Sequence, residues 1–280
     1  MSAKKALYWT IFWVLIAIVF NIGVYIKLGE QRAIEFFTGY LIEEFLRIDN
    51  LFVFLILFNY FKIPPHHQRK VLNWGIAGVI VLRGLFIFVG ISLVTQFYFI
   101  LYIFGAILII SGYRMTFTGV KDVQPERNKV LKVFKSFFRT THETQGSHFL
   151  IKKDGKNYAT PLLVCLIVIE STDIVFAIDS IPAIFAITNH PFIIFTSNIL
   201  AVLGLRSIYF LLSIISGKFE YVKKGVGLIL FYVGIKMLLP LVVPDLHIPA
   251  FVSLMVILVI LSISALVSIF IKRNLNMKIG

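Results

Sequence analysis

The sequence predicts an all-α, polytopic membrane protein with about eight transmembrane helices. Three observations carry that prediction. Of 280 residues, 59% are hydrophobic and only 15% charged, whereas a soluble domain is ordinarily about half apolar. The apolar residues collect at 7–26, 34–61, 71–92, 97–119, 159–181, 190–215, 222–240 and 248–272, runs of about 20 residues that are long enough to cross a bilayer as helices. Between these runs, the basic residues gather on one side.

Span 1 follows MSAKK and resembles a signal peptide, but it lacks a small-residue cleavage site and is expected to stay as a first span. With the N-terminus on side A, that side receives Lys4 and Lys5, then Lys62, Arg69 and Lys70. It also receives the basic residues between Arg114 and Lys156, then Lys218, Lys223, Lys224, Lys272, Arg273 and Lys278. Side B keeps only Lys27 and Arg32. By the positive-inside rule both termini are expected in the cytoplasm, with an even number of spans and a bacterial inner membrane as the default location. Topology and anionic lipid account for the net charge of +13, so no nucleic-acid partner is expected. The single cysteine, Cys165, excludes an intrachain disulfide.

Spans 2–4 (34–119) repeat as spans 5–7 (159–240), with spans 1 and 8 outside them. GAILIISGYRM at 105–115 matches GLILFYVGIKM at 227–237. LRG at 82–84 matches LRS at 205–207, setting Arg83 opposite Arg206. Glu43, Asp49 and Asn50 match Asp173, Asp179 and Ser180 at the same spacing. A three-span unit leaves the chain on the opposite side, so the second copy is expected to be inverted, with a binding site near the midplane. Gly105 and Gly112, like Gly227 and Gly234, lie seven apart and are read as packing surfaces. The 120–158 connection is read as a basic cytoplasmic loop, and KKDGKN within it as a hairpin turn.

The chemistry lies in the acids. Glu43, Glu44, Asp49, Glu170, Asp173 and Asp179 fall inside predicted spans, where a charge costs about 2.5–3.5 kcal/mol even on an insertion scale. Arg47, Arg83 and Arg206 are the available counter-charges; Arg83 and Arg206 are expected on the repeat carboxylates, and Glu44 with Arg47 as an i,i+3 pair. The remaining negative charge would suit a divalent cation. Carboxylates, the Asn50 amide and the Ser180 hydroxyl are hard oxygen donors that favour magnesium, calcium or manganese over zinc or copper. Glu43 and Asp49 stand about 120° apart on a helix, as do Asp173 and Asp179. Either each helix is buried on a broad front or it breaks near the acids, and Pro182 makes a break plausible in span 5.

GYLIEEFLRIDNLFVF (39–54) and IESTDIVFAIDSIPAIFAIT (169–188) resemble the two signature motifs of the TerC family of integral membrane proteins. The likeness runs from about residue 36 to 240. It implies inverted three-helix repeats and, for manganese-handling members, export of Mn²⁺. The acidic motif positions it implies are Glu43, Asp49, Glu170, Asp173 and Asp179, with Asn50 and Ser180 beside them. Phe45 and Arg47 depart from the small polar residues expected there.

The reading is therefore a secondary exporter of a hard divalent ion, Mn²⁺ first, with no permanently bound cofactor. Protons are the expected counter-ion, displacing metal by neutralising Asp49 or Asp179. The alternative is a membrane assembly scaffold whose acids are structural. No hydrolase or protease signature is present, so an enzyme is not expected, and the sequence carries no signal for an oligomeric state.

Overall fold

The computed structural model describes residues 3–118, 128–141, 146–153, 155–215, 220–243 and 248–277. Among these residues the chain is mostly helical, and seven helices are long and apolar enough to cross a membrane. The helices are α1 (Ala3–Leu28), α2 (Glu30–Tyr60), α3 (Pro65–Gln96), α4 (Ile100–Tyr113) and the short α5 (Lys129–Phe137), then α6 (Pro161–Phe185), α7 (Pro191–Ile215), α8 (Glu220–Val242) and α9 (Ala250–Met277). Besides the short α5, only α2 is outside the seven. It has 31 residues, but Glu35, Glu43, Glu44, Arg47 and Asp49 lie along it.

Local chemistry sets the boundaries. Gly29 alone joins α1 to α2, at a φ of +88° that a side chain would resist. Pro65 opens α3 and Pro161 opens α6, where the missing N–H costs nothing. α4 ends in a π-helical turn, Arg114–Thr118, on the residues that close the sequence repeat. Of the two alternatives left open near the acids, the break is absent: α6 runs unbroken to Phe185, because Pro182 stands in its last turn. Both acidic helices are instead buried on a broad front.

The connection between the halves is more than a loop. α5 packs against α6, and β1 (Leu150–Lys153) pairs antiparallel with β2 (Lys156–Ala159). The expected hairpin turn is present, with Gly155 at a φ of +71°.

α4 and α8 form the closest helix pair. A methyl group on Gly112 would meet Phe231 N at 2.5 Å and Gly227 O at 2.6 Å, and one on Gly234 would meet Gly105 O at 2.7 Å. The four repeat glycines thus bring backbone onto backbone, as read from their spacing. α2 packs on both α6 and α7, and α3 likewise on both.

Two apolar clusters sit at opposite ends of this bundle. Leu51, Phe54, Leu57, Leu72, Leu162 and Tyr209 belong to the cluster on the α6 N-terminal side. Ile87, Val94, Leu101, Ile181, Phe185 and Ile194 belong to the other. Between them lies a polar layer.

Candidate functional site

The layer draws on interior positions of four helices. α2 supplies Glu43, Arg47 and Asn50; α3 supplies Arg83; α6 supplies Asp173 and Ser180; α7 supplies Asn198. None is more than 3% exposed. Leaving such groups unpaired in an apolar interior is costly, so their partners define the site.

Arg83 is the hub. Its NH1 contacts the Glu43 carboxylate and donates to Asn198 Oδ1 at 2.9 Å and to Ser180 Oγ at 3.2 Å. Its Nε stands 3.5 Å from Asp173 Oδ2. Arg47 NH2 donates to Glu43 Oε1 at 2.9 Å and approaches the Asn198 carbonyl at 3.5 Å. Asn50 Nδ2 stands 3.4 Å from Asp173 Oδ1. One guanidinium therefore joins carboxylates at matching positions of the two sequence halves. The two carboxylates and two arginines are formally neutral together.

Several contacts are long. Asp173 Oδ2, Arg83 Nε, and Nε and NH1 of Arg47 are buried without a hydrogen bond. The layer is held by charge more than by full hydrogen bonding, which leaves its groups room to exchange partners.

The other acids stand apart. Asp179, half-buried, accepts from Ser111 Oγ of α4 at 2.6 Å. Both oxygens of Glu170 are buried without a partner, in a groove that α3 opens with Gly75 and Gly78. A methyl group on Gly78 would fall inside contact distance of that carboxyl. Asp49 lies on α2, but its side chain is outside the described residues. Among the described residues, no three His, Cys, Asp or Glu side chains converge as a metal cage.

Two expected pairings are corrected. Arg47 pairs with Glu43 at i,i+4, not with Glu44, because Glu43 and Arg47 both turn into the layer that Arg83 and Asn198 complete. Glu44 turns toward Gly204 of α7, where Oε2 is buried without a partner. Arg206, the sequence twin of Arg83, is exposed and donates to Asn73 Oδ1 at 3.2 Å. Its counterpart role does not carry over, since only Arg83 occupies the layer.

Sequence reasoning missed Asn198. It is fully buried and supplies two acceptors to the arginines. An asparagine inside an apolar span was the available signal. Arg47 was noticed as a departure and proves to be part of the layer.

A bundle of apolar helices around a buried layer of paired charges defines an integral membrane protein. The chain belongs to the integral membrane protein TerC family, whose model matches residues 28–276. It is 42% identical over 287 residues to the "Putative membrane-bound redox modulator Alx" of Salmonella typhi, covering 100% of this chain and 88% of that protein. The protein of the same name from Escherichia coli strain K12 is 41% identical over 280 residues, covering 97% and 86%. The "Uncharacterized membrane protein STKORF319" of Myxococcus xanthus is 41% identical over 271 residues, covering 97% and 84%. No solved structure matches the chain.

Proposed function

We propose that the protein is a secondary transporter that exports a hard divalent cation, Mn²⁺ foremost, through the midplane layer. The observation that carries this reading is Arg83 standing between Glu43 and Asp173, closed off at both ends by apolar clusters. Two buried carboxylates that share a tethered cation are suited to share a transported one. The amide of Asn50 and the hydroxyl of Ser180 are further oxygen donors of the kind such ions take. In this mechanism Arg83 neutralises the pair when no ion is bound and moves aside when one enters.

The same reading treats α2 as an eighth span, its buried charges neutralised in pairs, and places both termini in the cytoplasm of a cell with an inner membrane. It treats α2–α4 and α6–α8 as inverted repeats. Reciprocal packing supports this: Gly112 meets Gly227 while Gly105 meets Gly234, and α2 packs on α7 as α3 packs on α6. Alternating access would then rock one repeat on the other. Asp49, Glu170 and Asp179 serve as flanking acids, and protons arriving at Asp49 or Asp179 displace the metal. Redox modulation, named for the relatives, would follow if export sets the level of a redox-active ion.

The test is flux into proteoliposomes holding a metal-quenched dye, with Mn²⁺, Ca²⁺, Mg²⁺ and Zn²⁺, with and without a pH gradient. Mn²⁺ flux that disappears in Asp49→Asn and Asp179→Asn is expected. Flux retained in both variants removes those acids from the mechanism.

One observation favours a second reading, that of a scaffold: Glu43, Asp173, Arg47 and Arg83 already neutralise one another. A scaffold predicts that acid-to-amide variants lose stability and that folded protein moves no ion.

A further inference from the structure

We propose that α5 is a re-entrant gate that closes the side-A path to the midplane layer; its transport role rests on the reading above, while its docking does not. Asn128, the N-cap of α5, accepts from Leu131 N at 3.0 Å and donates through Nδ2 to Ser171 Oγ at 2.8 Å. Ser171 lies between Glu170 and Asp173, about 15 Å along α6 from Pro161 at 1.5 Å per residue. At its other end α5 returns to the foot of α6, where Ala159 N donates to Arg139 O at 2.8 Å. The helix therefore stands antiparallel along the first half of α6. A segment whose composition reads as a surface loop thus reaches the depth of the buried acids.

Leu131 is 3% exposed and Phe134 packs beside it, so α5 contributes to the apolar cluster that covers the layer from side A. The flank beside Phe134 is bare: Val130, Val133 and Phe137 are exposed, with Phe137 at 80%. Every other helix in that cluster passes through the whole bundle. α5 has nine residues, too few to be stable as an isolated helix in water. Its docking rests on Leu131, Phe134 and the Asn128–Ser171 bond. Elements with few buried contacts open first, so withdrawing α5 is the least costly way to uncover Ser171 and the side-A apolar cluster that Leu131 joins. The sequence encodes this with an Asn-capped amphipathic turn whose lysines, Lys132 and Lys135, are exposed.

Two measurements test the gate in the full chain with Cys165→Ser. In the first, Ser171→Cys is labelled from side A with a membrane-impermeant thiosulfonate. Slow labelling is expected, at least tenfold faster once Leu131→Glu or Asn128→Ala undocks α5. Equal rates in all three proteins overturn the proposal. In the second, Asn128→Cys and Ser171→Cys are bridged by a short bifunctional thiosulfonate during Mn²⁺ flux. Bridging should reduce flux at least tenfold, reversibly on reduction, while the single variants keep theirs. Failure to bridge, or full flux when bridged, overturns the gate. If the unbridged protein moves no ion, the transporter reading fails and the labelling rates alone decide whether α5 covers the site.

Discussion

Glu43 on α2 and Asp173 on α6 are joined through a single guanidinium, that of Arg83, although 130 residues separate them in the chain. Each carboxylate comes from a different half, and among the described residues the other ion pair they make is that of Arg47 with Glu43. Removing the shared arginine therefore acts on both halves at once.

Arg83→Leu should destabilise the protein by about 3–5 kcal/mol, the cost of leaving a buried ion partner uncompensated. Unfolding of the purified protein by increasing denaturing detergent measures it. Adding Glu43→Gln and Asp173→Asn to Arg83→Leu should recover most of the loss, because no buried charge is then stranded except Arg47. A triple variant no more stable than the single one contradicts the shared-guanidinium account.

Arg206→Ala should behave differently from its sequence twin. The side chain is exposed and hydrogen-bonded to Asn73, so the change should fall within about 0.5 kcal/mol. Mn²⁺ flux should be unaffected. A loss comparable to that in Arg83→Leu would mean that Arg206 visits the layer in another conformation.

Gly78→Ala tests the groove that holds Glu170. The added methyl collides with the buried carboxyl, an overpacking of about 1–3 kcal/mol. Glu170→Ala removes the obstacle, so the double variant should be more stable than the two single effects sum to. A double-mutant cycle with less than about 0.5 kcal/mol of coupling would separate the two residues.

Gly112→Ala should separate α4 from α8, with a lower melting temperature and loss of folded yield. Gly23→Ala is the control, since nothing lies within 4 Å of a methyl group there. Equal behaviour of the two variants would refute the backbone contact.

Chelator should leave the fold intact. The layer balances its own charge, so melting in EDTA should match melting in buffer. Millimolar Mn²⁺ should raise the melting temperature if it binds the folded state, and Asp173→Asn should abolish that rise. Unfolding on chelation would reveal a structural metal instead.

The long helices were legible because a bilayer sets their length and composition, and the acids because charge in an apolar run needs a cause. The repeat glycines were legible by spacing. Partner choice was not. Arg83 and Arg206 each follow a leucine and precede a small residue, yet of the two only Arg83 faces the layer, since the packing of α3 on α6 and α7, and of α7 on α1, α2 and α3, fixes each helix's rotation. Glu44 and Glu43 are adjacent in sequence but turn to different neighbours for the same reason. α5 was hidden because its three lysines read as part of a basic loop, while Leu131 and Phe134 decided its place.

The glycine crossing of α4 and α8 has a mechanical consequence. Where backbone lies on backbone, there are few side-chain ridges to disengage, so one helix can turn on the other without unmeshing. The crossing pairs one helix of each half at reciprocal points. If the halves rock as the transport reading proposes, it is the fulcrum: small rotations there would become larger displacements at Glu43 and Asp173, set off to one side on α2 and α6.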